Sequence, residues 1–161
     1  MPADQRDELR DLYQEVILDH NRHPRNFRAL PNANRAAVGH NPLCGDRIQV
    51  FLQVADDRIQ GISFEGSGCA ISTASASLMT EALKGKTVAE ANELFAGFHK
   101  LVTQGSSGVG EGGEGGEAGR LGKLAVLAGV REFPIRVKCA TLAWHTLAAA
   151  LEQKDHPVST E

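Results

Sequence analysis

The sequence is short of cysteine, of clustered positive charge and of long apolar runs, and each shortage excludes something. Three cysteines in 161 residues is an odd count, and none lies within four residues of another. That is a poor disulfide framework, and it lacks the closely spaced C-x-x-C pairs of most structural zinc sites. No apolar run is long enough to cross a bilayer. The first residues, MPADQRDELRDLYQEV, are charged and lack the apolar stretch of a secretory signal. The expectation is a cytoplasmic protein without a membrane partner. A formal charge of -3, with Lys and Arg scattered, provides no basic face, so nucleic acid is not an expected partner. The length suits one domain spanning 1–161 and hardly two.

What is present reads in three parts. Asp7 to His20 carries an approximate helical stripe through Leu9, Leu12, Val16 and Leu18, ended by the polar turn HNRHPRNF. Two extended segments follow a proline-punctuated loop. Arg47 to Ala55 alternates Ile48, Val50, Leu52 and Val54 with polar partners, Asp56-Asp57 turns, and Arg58 to Phe64 returns, with a short third strand near Ala37 to His40. After Gly68 the period changes. Ile71, Ala74, Leu78 and Ala82 predict a helix from Cys69 to Lys84, closed by Gly85. Thr87 and Glu90 form a capping box for a second helix whose face is Val88, Ala91, Leu94, Phe95 and Phe98. A glycine-rich insertion at about 104–130 precedes a last helix from about Val137 to Leu151, and the tail QKDHPVSTE is expected to fray. Strands first and helices after give an α+β fold, a small antiparallel sheet with helices packed on one face.

The cysteines fall at informative places. Cys44 lies in the loop of NPLCGDRI, Cys69 follows GSG at a predicted helix start, and Cys139 sits near the start of the last helix. A helix N-terminus stabilises a thiolate, whereas a cysteine used only for packing belongs in the middle of an apolar stripe. Burial as packing residues is the competing reading, because free cysteine is among the most buried residue types. Asp46, two residues from Cys44 across Gly45, tips the balance. Three thiolates and one carboxylate are four ligands, the count for tetrahedral zinc, and the oxygen donor makes one position exchangeable.

Four blocks in order, ILDHNRHPRNF, NPLCGDRI, FEGSGCAISTASASLMTE and RVKCATLAWHTL, resemble the U-type iron–sulfur assembly proteins of the IscU/NifU N-terminal superfamily. The resemblance covers roughly residues 9 to 152 and is closer to the SufU type than to the IscU scaffolds. Scaffolds of that type carry histidine before the third cysteine, where this chain has Lys138, and the insertion from Gly105 to about Val130 fits SufU-type members. The resemblance implies a three-stranded antiparallel sheet and a site of Cys44, Asp46, Cys69 and Cys139. It implies bound zinc and a SufS-type cysteine desulfurase as partner, whose pyridoxal phosphate chemistry leaves a persulfide on its own cysteine. A partner histidine then takes a place on the zinc and releases Cys44, the catalytic residue, which attacks the terminal persulfide sulfur. Such a protein is a sulfur carrier that stimulates the desulfurase rather than a stand-alone enzyme, passing sulfur to downstream iron–sulfur scaffold proteins. The alternative is a scaffold carrying a transient [2Fe-2S] cluster on the same residues. Arg136 and Lys138, flanking Cys139, are positioned in sequence to offset the site's negative charge.

Other candidates are weaker. His20 and His23 suit the C-terminus of the first helix, His40 a strand end, His145 partly buried packing, and His99 and His156 the surface. GVGEGG fits G-x-G-x-x-G only formally, since no strand precedes it and Glu111, Glu114 and Glu117 repel phosphate. Ser72, Ser75 and Ser77 have no histidine–acid arrangement nearby in sequence and are not read as nucleophiles.

Overall fold

The computed structural model describes residues 15–42, 45–104, 124, 126–127, 130, 134–152 and 158–159. Alternating side chains build the central hairpin. Strands β2 (Asp46–Ala55) and β3 (Arg58–Ser67) pair antiparallel, and Ile48, Val50, Leu52 and Val54 are buried on one face. Asp56 and Asp57 both take positive φ, 54° and 59°, as the two-residue turn of type I′ requires. Strand β1 (Arg35–Asn41) pairs antiparallel with the other edge of β2. The three antiparallel strands and the α+β class are as expected from the sequence.

The sheet departs from the expected strands in two places, both through pairing with distant segments. Strand β3 continues through Gly66 to Ser67, beyond the expected end at Phe64, with Gly66 opposite Ile48. A side chain at Gly66 would run into the Arg47 carbonyl, so only glycine allows this pairing. Within the tail, Val158–Ser159 forms a two-residue strand, β4, parallel to β1, giving the order β3-β2-β1-β4. The outer edge of β1 offers unpaired backbone groups, and this segment satisfies some of them. The opposite edge is covered as well. Arg28 N–H donates to the Phe64 carbonyl at 2.9 Å, Phe64 N–H donates to the Asn26 carbonyl at 3.0 Å, and Phe27 packs edge-on against Phe64.

Helix α1 is described over residues 15–22, so the start of the helix expected from Asp7 lies outside the described residues. Helix α2 (Ala70–Leu83) is capped by Cys69 and ends at Lys84, with Gly85 at φ 84°. Helix α3 (Val88–Gln104) opens with the expected box: Thr87 N–H donates to Glu90 Oε1 at 3.0 Å, and Glu90 N–H donates to Thr87 Oγ1 at 3.1 Å. Helix α4 (Pro134–Glu152) begins before Val137, because proline is well suited to a first helical position, where its missing N–H has no intrahelical role. Cys139 therefore sits beyond the first turn, and the helix-terminus argument does not apply to it.

The sheet's apolar face packs against α2 and α4, and α3 packs on α4 with Phe98 stacked on Trp144 at 4.8 Å. A side chain at Gly39 would collide with Thr146, so glycine there lets α4 lie directly on β1. The hydroxyl of Ser75 donates to the Ala140 carbonyl at 2.6 Å and ties α2 to the same helix. Leu124, Leu127 and Val130 are buried in the core, so the described end of the expected insertion is packing structure.

Candidate metal centre

The fold gathers Asp46, Cys69 and Cys139, one ligand atom from each lying within 4.8 Å of the others. They come from the first residue of β2, the N-cap of α2 and the second turn of α4. Asp46 and Cys139 are fully buried, and Cys69 is half-buried. A side chain gathered from three separate elements is held by the whole tertiary structure rather than by a local turn.

Each position has a local reason. Asp46 ends the buried face that runs through Val50 and Ile48, so alternation points its carboxylate inward. Its Oδ1 accepts the Cys69 backbone N–H at 2.9 Å, and its Oδ2 accepts from the Cys69 thiol at 3.9 Å. Cys69 in turn caps α2, its sulfur accepting the Ser72 N–H at 3.5 Å. Gly68 makes this approach possible, because a Cβ there would stand 2.5 Å from Asp46 Oδ1. On the other side, Asn41 Nδ2 donates to the Cys139 sulfur at 3.8 Å.

The donor set fits zinc. Tetrahedral zinc with Zn–S of about 2.3 Å and Zn–O of about 2.1 Å separates sulfur from oxygen by about 3.6 Å and two sulfurs by about 3.8 Å. The Asp46–Cys69 separation of 3.9 Å already matches such an edge to a few tenths of an ångström. The remaining edges all lie within 4.8 Å. Three described ligands leave one position for a fourth. Cys44, the fourth residue expected from the sequence, lies outside the described residues.

The guanidinium of Arg136 reaches both described cysteines from one turn earlier on α4. Negative charge on Cys69, and to a smaller extent on Cys139, raises its pKa above the ordinary value. Of the two basic residues flanking Cys139, Arg136 therefore faces the site. Lys138 is half-buried on the same helix.

Among the described residues no histidine joins this group of candidate ligands. His40 is exposed, and His145 is half-buried against Phe95, with ring centroids 5.2 Å apart. His99 is exposed and His23 likewise, while His156 lies outside the described residues. His20 differs from its expected role as a cation at a helix end. It is buried, with Nδ1 2.7 Å from Ser77 Oγ and Nε2 3.6 Å from Glu81 Oε1. The tertiary fold thus does bring a histidine and an acid to Ser77. The serine is fully buried and its oxygen also accepts the Arg25 N–H, so this cluster latches α1 to α2 and offers a substrate no access. Asn41 and Gly68 were not singled out from sequence, although both sit inside the NPLCGD and GSGC blocks that carry the ligands.

Comparison with known proteins agrees with this geometry. The family described as NifU-like N terminal domain matches residues 12–140. A zinc-dependent sulfurtransferase SufU from Bacillus subtilis is 37% identical over 147 residues, covering 91% of this chain and 94% of that protein. An iron–sulfur cluster assembly scaffold protein IscU from Streptococcus pyogenes is 38% identical over 145 residues, covering 90% and 86%. A crystal structure assigned to a SUF-system scaffold protein from Fervidobacterium islandicum superposes with a TM-score of 0.74 at 34% identity, covering 85% of this chain and 94% of that one. A fold that brings Asp46 to two distant cysteines, and a family match across most of the chain, place this protein in the NifU-like N-terminal domain family.

Proposed function

We propose that this protein accepts sulfur on Cys44 from a SufS-type cysteine desulfurase and carries it into iron–sulfur cluster assembly, with zinc held by Cys44, Asp46, Cys69 and Cys139. The observation that carries the reading is the convergence of one carboxylate and two thiols within 4.8 Å. Cys44 stands two positions from Asp46 in the NPLCGDRI block, and the family resemblance makes it the fourth ligand. Bound zinc supplies the divalent charge that keeps coordinated thiolates deprotonated near neutral pH.

The residues divide the work. Cys69 and Cys139 are fixed by a helix cap and by burial. Cys44 is taken as the releasable ligand on the family resemblance of the NPLCGDRI block. Once released, its Sγ attacks the terminal sulfur of the desulfurase persulfide. A new S–S bond forms to Cys44, the donor's own S–S bond breaks, and the donor cysteine leaves as thiolate, so no oxidant or reductant is consumed. Arg136 offsets the negative charge of the thiolate-rich site. Such a carrier works in the reducing cytoplasm, where thiols stay unpaired, and delivers to a downstream iron–sulfur scaffold.

The test is alanine release by the desulfurase with and without the zinc-loaded protein, at reductant too low to accept the sulfur itself. The expected result is a large rise in turnover that vanishes with Cys44→Ala while the fold is retained. No rise, with iron and sulfide accumulating on the chain instead, is the result expected of a cluster scaffold.

A further inference from the structure

Asn41 and Asp46 face each other as the last residue of β1 and the first of β2, and register places both side chains on the core face. Both are fully buried. The pair splits the two described cysteines between them. Asp46 takes the Cys69 backbone N–H and thiol, and Asn41 sends its side-chain amide to the sulfur of Cys139. The amide is fully buried at the end of an otherwise apolar face and is aimed at a candidate ligand.

We infer that Asn41 is a positioning residue for the metal centre: its amide N–H, donated to the Cys139 sulfur, holds that thiolate in place, so that Cys139 is the ligand that stays, and withdraws charge from the sulfur. The inference rests on the zinc-site reading above. Hydrogen bonds to a ligand sulfur withdraw charge from it and orient it, and partners of this kind tune metal affinity by about 10–100-fold. Burial adds to the effect, since an amide hydrogen bond strengthens where water cannot compete. The result is an asymmetric site. Cys139 is anchored by a buried donor on β1, and the ligand proposed to leave, Cys44, is three positions after that donor in sequence.

The experiment uses the full chain loaded with cobalt(II), and separately with zinc against a competing chelator. Asn41→Leu removes the donor at similar volume. The expected outcome is a shift of the sulfur-to-cobalt charge-transfer bands to longer wavelength, because the Cys139 sulfur becomes more electron-rich, with about tenfold or greater loss of zinc affinity. Bands and affinity equal to wild type in a folded variant would overturn the inference. Should Asn41→Leu not fold, the wild-type protein loaded with cadmium-113 decides the matter. The hydrogen bond predicts a through-bond coupling between the Asn41 side-chain amide protons and the metal, and its absence overturns the inference. These readouts need only the metal, so a failed desulfurase assay would sink the sulfur-acceptor reading and leave this one standing.

Discussion

Gly68→Ala is the most demanding test of how the centre is built, because the change adds one methyl group and removes no ligand. The new Cβ would stand 2.5 Å from Asp46 Oδ1, 3.0 Å from its Cγ and 3.2 Å from its Cβ. Asp46 is fully buried and has little room to yield. Either the carboxylate swings away and loses the Cys69 N–H bond of 2.9 Å, or residues 66–68 lift off β2. Overpacking of this kind costs about 1–3 kcal/mol, and a lost hydrogen bond to a charged group about 1.5–3 kcal/mol. The two costs partly replace one another, so about 2–4 kcal/mol is expected rather than their sum. For a chain of this length that is a fall in Tm on the order of 5–15 °C. The assay is thermal unfolding of the reduced, metal-free protein, which removes the stabilisation that bound metal adds. Chelator competition on the zinc form should show about tenfold weaker binding, since moving Asp46 also disturbs the partners that orient the site. A Tm within a degree of wild type, together with unchanged zinc affinity, would refute the argument that glycine is required by the approach of Asp46.

Two further predictions concern titration. Burial, and secondarily the nearby charge of His99, push the His145 pKa below its ordinary value of 6.5. The unfolded chain then binds more protons than the folded one in the window below 6.5, so stability present above that value declines as pH falls through it to the folded pKa. An NMR titration should place the His145 midpoint below 6.5 and His99→Gln should raise it; a midpoint at or above 6.5 contradicts the packing described. In the capping box, the Thr87 N–H and then the Thr87 side chain hold the Glu90 pKa below 4.5. That contribution is present above 4.5 and lost as pH falls through the lowered value. Thr87→Ala should cost about 1 kcal/mol at neutral pH and return the Glu90 midpoint part of the way toward 4.5, an outcome that the same two measurements would deny if neither moved.

The sequence by itself determined the parts whose causes are local. Thr87 and Glu90 reach each other within one helical turn, Asp56-Asp57 tolerates the positive φ of the hairpin, and alternation over Ile48 to Val54 selects a buried face. The four ordered blocks also marked Cys69, Cys139 and Asp46 as parts of one site, and the folded chain brings them together. What depended on segments far apart in sequence was not legible. No local rule says that Gly66 must lie flat against Arg47, that the tail pairs with β1, or that His20 is buried beside Ser77. Nothing in the sequence around Asn41 points to its partner; only the register of β1 on β2, with α4 laid over Gly39, turns its amide toward a sulfur almost a hundred positions away. Local propensity acts through the few residues that share a turn. A candidate metal centre assembled from a strand, a helix cap and a distant helix is decided by packing, where a single Cβ or a single amide settles what can approach what.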